Sequence, residues 1–159
     1  MSHQALDNVF DQIGYCGIWC GSCAVGTGAL AEIAGRYREL CEAHGLGDWG
    51  AENFDYDEFL RGLSSIAALP GCPGCRQGGG RADCELRACA RERGLGGCVA
   101  CSEFDACPHG PVLQHMRGGA GSAGLLVIDG PQDRPLSEGR RRQELAKLWW
   151  WRALYGEKP

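Results

Sequence analysis

The sequence has no apolar run long enough to cross a membrane. A spanning helix needs about 18 or more apolar residues, and the longest apolar stretch near the middle is Leu125–Ile128. It has no excess of positive charge: 16 basic against 20 acidic residues leave a net charge of −4, which argues against binding a nucleic-acid backbone. Met1–Phe10 has neither a basic start nor an apolar stretch, so no secretory signal is expected there and a cytoplasmic location is. There is no P-loop, because the glycines of Gly118–Gly124 lack a following Lys-Ser or Lys-Thr. A nucleophile-elbow serine and a paired-carboxylate helix motif are absent too. No catalytic residue can therefore be named.

Two residue types are abundant. Glycine contributes 26 and cysteine 11 of the 159 residues, against a usual glycine share of about 7%. An odd cysteine count leaves one thiol over in any full disulfide pairing, and reducing cytosol disfavours disulfides altogether, so metal binding or redox chemistry is the expected use.

Three segments carry helical periodicity. Thr27–His44 places Leu30, Ile33, Ala34, Tyr37, Leu40 and Cys41 on one stripe, with Thr27 as cap and Gly45 as stop. Cys41 lies on this stripe and is read as a core residue. Tyr56–Leu69 has an acidic cap in Asp55 with Glu58, and a stripe of Phe59, Leu60, Leu63, Ile66 and Ala67 predicted to be buried; Pro70-Gly71 stops it. Ser137 caps a third helix running to about Tyr155. On that helix Trp149 and Trp151 share an arc with Leu145, Leu148 and Tyr155, and Trp150 falls outside it, partly exposed. An exposed tryptophan there suggests a protein partner or self-association; a fold-back of residues 118–135 would cover it instead. Arg140–Arg142 reads as a solvated face beside Glu138 and Glu144.

Between Ala68 and Gly130 lie 14 of the glycines and seven cysteines, with few periodic apolar residues. Gly78–Gly80 and Gly118–Gly124 read as loops. Asp83–Arg93 is a predicted short helix capped by Asp83 and closed by Gly94, and Leu125–Ile128 a predicted buried strand. Burial cannot order such a segment by itself; metal–thiolate bonds can. The predicted organisation is one domain over 1–159: an N-terminal cysteine group with two helices (1–69), a cysteine-rich metal module (70–110), a Gly-rich connector (111–135) and a C-terminal helix (136–159). The fold class is mainly α, a small helical domain with an irregular, metal-stapled module.

The strongest signals are the C-x2-C pairs Cys72/Cys75 and Cys98/Cys101. A tight turn of small residues (Pro73-Gly74, Val99-Ala100) lets both sulfurs of a pair reach one ion, and zinc takes four such ligands in a closed tetrahedron. Cys84, Cys89 and Cys107 follow at spacings that can complete such sets. Cys16-x3-Cys20-x2-Cys23 has the spacing that radical-SAM enzymes use for an open iron site, but the chain is too short for their barrel and lacks its strand–helix repeat. Cys107-Pro108 is the sole trace of a ferredoxin run. Ten cysteines exceed two four-thiolate sites by two; a third partial site, a shared thiolate or two spare thiols would account for that. A sequential grouping puts Cys72, Cys75, Cys84 and Cys89 in one site and joins Cys98, Cys101 and Cys107 to one N-terminal cysteine; interleaved grouping is equally allowed. His109 and His115 are secondary candidate ligands, and His3 and His44 carry no functional reading.

Tyr15-Cys16-Gly17-x-x-Cys20-x-x-Cys23, Gly71-Cys72-x-Gly74-Cys75, Cys84-x-Leu86-Arg87-x-Cys89-Ala90, Gly94 and Cys98-x-x-Cys101-x-x-Phe104-x-x-Cys107 together resemble the cysteine-rich domain-of-unknown-function 3795 family over about Gly14–Leu113. The resemblance implies a metal-binding protein, with zinc the suggested ion, no established activity, and ten cysteines as candidate ligands: Cys16, Cys20, Cys23, Cys72, Cys75, Cys84, Cys89, Cys98, Cys101 and Cys107. The leading expectation is structural zinc in a protein that works through a protein partner. The alternatives are an electron carrier or redox subunit with a [4Fe-4S] cluster, and a small metal-dependent enzyme using the open N-terminal cysteine group.

Overall fold

The clearest apolar stripe of the sequence forms the longest helix of the computed structural model, which describes residues 9–156. The reading of Met1–Phe10, apart from its last two residues, and His3 lie outside the described residues. Helix α1 spans Ala29–Ala43. Its cap is Gly28, in the left-handed region at φ 80°, rather than Thr27. Thr27 is fully buried, and its hydroxyl donates to the Cys23 carbonyl at 2.8 Å, tying the helix start to the N-terminal cysteine turn. Gly45 closes the helix as expected, and a single-turn helix α2 (Leu46–Trp49) follows. Helix α3 (Tyr56–Ala67) begins at Asp55, whose carboxylate accepts the Glu58 N–H at 2.8 Å. Such a cap is worth about 1 kcal/mol.

Helices α1 and α3 pack together, with Tyr37 edge-on to Phe59 at 5.9 Å between ring centroids. The α3 stripe differs from expectation in burial. None of its residues is fully buried and Ile66 is exposed, because α3 leans on α1 and α2 rather than on the main core. Cys41 does sit buried on α1.

The core joins the two ends of the described chain. Ile13, Trp19, Ala29, Ile128, Leu145, Leu148 and Trp150 form one buried cluster. Residues 126–128 run beside the N-terminal segment: the Trp19 N–H donates to the Leu126 carbonyl at 2.9 Å and the Ile128 N–H to the Gly17 carbonyl at 2.7 Å. The predicted strand over Leu125–Ile128 shrinks to an isolated antiparallel bridge between Val127 and Ile18. The N-terminal segment turns away at Gly17 (φ 89°), where a side chain would strike the Ile128 carbonyl. The described residues contain no strand, so the fold is mainly helical.

Helix α4 (Glu85–Glu92) starts from Cys84 without a side-chain cap; Asp83, the expected cap, pairs with Arg81 at 2.9 Å instead. Gly94 (φ 65°) closes it as expected. Helix α5 covers Gly110–Ser122, so most of the glycine stretch read as a loop is helical. Pro111 favours its first turn, and Leu113 and Ala120 are buried along it. From the same helix Arg117 donates to the Cys16 carbonyl at 2.8 Å and pairs with Asp129 at 2.9 Å. These contacts outweigh the low helix propensity of glycine.

The C-terminal helix is two helices, α6 (Glu138–Leu145) and α7 (Trp149–Tyr155), broken at Leu148, which is extended at φ −85° and ψ 124°. Ser137 caps α6 as expected. In one continuous helix Leu145 and Trp150 would stand about 140° apart; the break brings both into the core. The tryptophan assignment is thereby reversed, with Trp150 4% exposed and Trp149 66% exposed. The arginine run is only partly a solvated face. Arg142 pairs with Glu138 at 2.8 Å, but Arg141 turns inward over the Phe10 ring, 4.3 Å from its centroid, and pairs with Asp11. Among the described residues no helix is long and apolar enough to cross a membrane.

Candidate metal centre

Ten of the eleven cysteines lie half-buried in irregular chain or on α4, whereas Cys41 alone is fully buried; all eleven are free thiols. They are not divided into separate groups: Cys98 neighbours Cys16 as well as Cys107 and Cys89, and its N–H donates to the Tyr15 carbonyl at 2.8 Å. Cys89 lies on α4, whereas Cys84 precedes it as an extended N-cap (φ −72°, ψ 106°).

Cys84 neighbours Cys16 and Cys75. Gly14 lies between two sulfurs: a Cβ built on it would be 3.3 Å from Cys75 Sγ and 3.6 Å from Cys16 Sγ. The thiols of Cys16, Cys75 and Cys84 are mutual electrostatic neighbours, and Cys20 neighbours Cys16, Cys72 and Cys75. Cys23 closes the row. The Gly26 N–H donates to its sulfur at 3.3 Å, and the Gly26 carbonyl accepts from the Cys72 N–H at 3.0 Å.

Cys89, Cys98, Cys101 and Cys107 line a hollow of about 20 Å³ with Leu86, Phe104 and His109. That volume suits one water-sized body. The His109 ring nitrogen Nδ1 lies 2.8 Å from the Glu85 carboxylate, while His115 is solvent-exposed. Of the two histidine candidates, only His109 stands beside sulfurs.

Burial dominates the thiol chemistry. It pushes Cys20 up to about 11 and Cys98 up to about 11, and raises Cys16 and Cys75. Opposing it are backbone N–H groups aimed at sulfur, from Ile18 to Cys16, Cys75 to Cys20 and Tyr15 to Cys75, together with the Arg76 and Arg87 guanidiniums near Cys75. Without a cation these thiols stay protonated at neutral pH.

Two arginines that sequence reasoning did not single out as organising residues hold the loops. Arg87 donates to the carbonyls of Gly79 (2.9 Å), Arg81 (2.8 Å), Ala82 (2.8 Å) and Cys75 (3.3 Å), which pins the loop between Cys75 and Cys84. Arg76 donates to the carbonyls of Ile13 at 2.6 Å and Gly96 at 2.5 Å and to that of Gln132, and stacks over Tyr15 at 4.5 Å. It thus joins three distant segments beside the sulfurs. The only sequence signal was Arg87 within the Cys84–Ala90 motif.

The donor chemistry suits a thiophilic divalent ion: soft, half-buried, unpaired sulfurs, four of them around a hollow of one-ion scale. The sulfurs are neighbours rather than a finished shell, since among the described residues no group of three or more His, Cys, Asp or Glu is drawn together tightly enough to hold a metal ion.

A family model described as a protein of unknown function (DUF3795) matches residues 12–110 of this chain. No curated protein and no solved structure matches it.

Proposed function

The chain belongs to the DUF3795 family, and from that premise we propose that it is a zinc-binding protein whose cysteine-held sites are structural and whose work is done by contacting a protein partner. The observation that carries this reading is that ten free thiols are half-buried in and beside a glycine-rich segment, whereas Cys41 alone is fully buried. Cys16, Cys20, Cys23, Cys72, Cys75, Cys84, Cys89, Cys98, Cys101 and Cys107 would supply the ligands. A bound zinc ion supplies a closed tetrahedral cross-link and no redox chemistry. The partner half of the reading draws on the large apolar side chains left on the surface, foremost Trp149 and Trp49.

An iron–sulfur carrier is the second reading. It is favoured by the backbone N–H groups aimed at Cys16, Cys20, Cys23 and Cys75, of the kind that tune cluster potentials. An enzyme with an open N-terminal cysteine site has less support, because Cys72, Cys75 and Cys84 crowd the flank such a site would keep free.

Elemental analysis of anaerobically purified protein, with its visible spectrum, decides between these readings. Zinc in whole-number amounts and a colourless solution unaffected by dithionite are expected. Iron with acid-labile sulfide in a brown, bleachable sample would overturn the zinc assignment in favour of the cluster.

A further inference from the structure

Large apolar side chains are left in solvent in two places, and the two places carry opposite charge. The first is formed by the end of α1, by α2 and by the start of α3. Tyr37, Leu40 and Phe54 are each about half exposed there, and Trp49 is 69% exposed. Phe54 lies edge-on to Tyr56 at 4.8 Å and to Phe59 at 5.4 Å, and Phe59 in turn meets Tyr37. The polar ends of these rings are already bonded to the backbone. The Trp49 indole N–H donates to the His44 carbonyl at 2.7 Å, and the Tyr56 hydroxyl accepts the Ala51 N–H at 3.0 Å. What Trp49 turns to solvent is therefore ring surface.

Negative charge borders that surface. No lysine or arginine stands between Arg38 and Arg61, whereas Asp48, Glu52, Asp55, Asp57 and Glu58 fall within eleven residues. All five are exposed. Among the described residues none of the five is in an ion pair, although eight carboxylates elsewhere have a basic side chain in contact. Uncompensated carboxylates beside open rings suit guanidinium groups, which stack on a ring and pair with a carboxylate at once.

The complementary charge is on the same chain. Residues 140–152 hold five basic residues and one acidic. On α7 Trp149 is exposed, and so is Arg152, one turn further along the same side. Arg140 on α6 is exposed as well. Among the described residues neither Arg140 nor Arg152 is in an ion pair, and no ion pair joins the two places within one chain. Tryptophan, tyrosine, phenylalanine and arginine are the residue types that interfaces enrich.

Resting on the partner half of the proposed function, we propose that the partner is a second copy of this chain. The α6–α7 face of one copy, led by Trp149 and Arg152, docks on the acidic aromatic face around Trp49 and Phe54 of the other. Two such contacts, made reciprocally, close a two-fold dimer. So few side chains make a weak contact. It forms at high protein concentration and is lost as salt screens the charges.

The test is sedimentation equilibrium of the whole chain, purified anaerobically and kept in reductant so that no disulfide links copies. Concentrations should reach about 1 mM, the Kd of a weak contact. At low salt the weight-average mass should rise with concentration from monomer toward dimer, and at about 1 M salt it should return to monomer. Trp149→Ala should weaken association by about tenfold. Asp48→Lys with Glu52→Lys should hold the chain monomeric, and so should Arg140→Glu with Arg152→Glu. Mixing these two doubly reversed variants should restore the dimer, which damage to either fold would not allow. A monomer throughout the range, association indifferent to salt and to Trp149→Ala, or a mixture that stays monomeric would overturn the second copy as occupant. Each of these outcomes leaves untouched the zinc assignment, read separately by elemental analysis, and contact with a different protein.

Discussion

Replacing Cys75 with serine is expected to release residues 71–110 from their folded arrangement, whereas Cys41→Ala should leave them in place. The reason is how little else holds that module. Between Gly71 and Gly110 only Leu86 and Ala90 are buried apolar side chains, and a fully buried leucine contributes roughly 1.5–3 kcal/mol. The ordering of forty residues costs far more than that. A structural zinc contributes roughly 10–16 kcal/mol near neutral pH, and Cys75 neighbours Cys16, Cys20 and Cys84 at once. Losing it should forfeit a large share of that term. Cys41 is buried on α1, and its truncation only leaves a small void. Amide hydrogen exchange reads the difference. In Cys75→Ser the Leu95 N–H, bonded to Ala90 at 2.8 Å, and its neighbours in α4 should exchange with little protection, while the N–H groups of α1 stay protected. Equal and mild effects from the two substitutions would contradict the ligand assignment.

The second large effect is expected in α7. Trp150→Ala should lower stability by roughly 3–5 kcal/mol, because Trp150 is 4% exposed and belongs to the central cluster with Ile13, Trp19, Leu145 and Leu148. It also meets Trp151 edge-on at 6.2 Å. Trp149→Ala should stay within about 0.5 kcal/mol of the parent, since Trp149 is 66% exposed. Denaturant unfolding followed by far-UV circular dichroism measures both. A destabilisation by Trp149→Ala as large as that by Trp150→Ala would mean that α6 and α7 run on as one helix, with the phase that an unbroken periodicity predicts.

That pair of residues marks where the sequence stopped being legible. Within one helix the local signals gave existence and ends: α1, the Asp55 cap, the Gly45 and Gly94 stops and the burial of Cys41 were all readable from nearby residues, but the stripe did not give burial, since Leu30, Tyr37 and Leu40 of α1 are exposed and no α3 residue is fully buried. The break at Leu148 was not, because nothing local distinguishes it. No proline or glycine stands between Ser137 and Tyr155 except Gly139, and the break follows from a core that takes Leu145, Leu148 and Trp150 together. The same holds for α5, whose glycines read as loop until Arg117 ties them to Cys16 and Asp129 across the molecule.

At the candidate centre, the cysteines themselves were legible from their pairing and their setting in glycine-rich chain. Their grouping was not. Spacing along the chain does not show that Cys16 neighbours Cys75 and Cys84, or that Cys98 neighbours Cys16. Arg76, next to Cys75 in the chain, ties it to the N-terminal segment through the Ile13 carbonyl and to Gly96 and Gln132. A guanidinium bonding to backbone carbonyls reads only main-chain oxygens, and every residue has one, so no partner shows in the sequence.

The central claim is that sulfur-held zinc orders this chain. X-ray absorption at the zinc edge, on protein purified without added metal, tests it most directly. The expected first shell is sulfur alone, at about 2.3 Å. A shell of nitrogen and oxygen at about 2.0–2.1 Å, or the absence of zinc from folded protein, would contradict it.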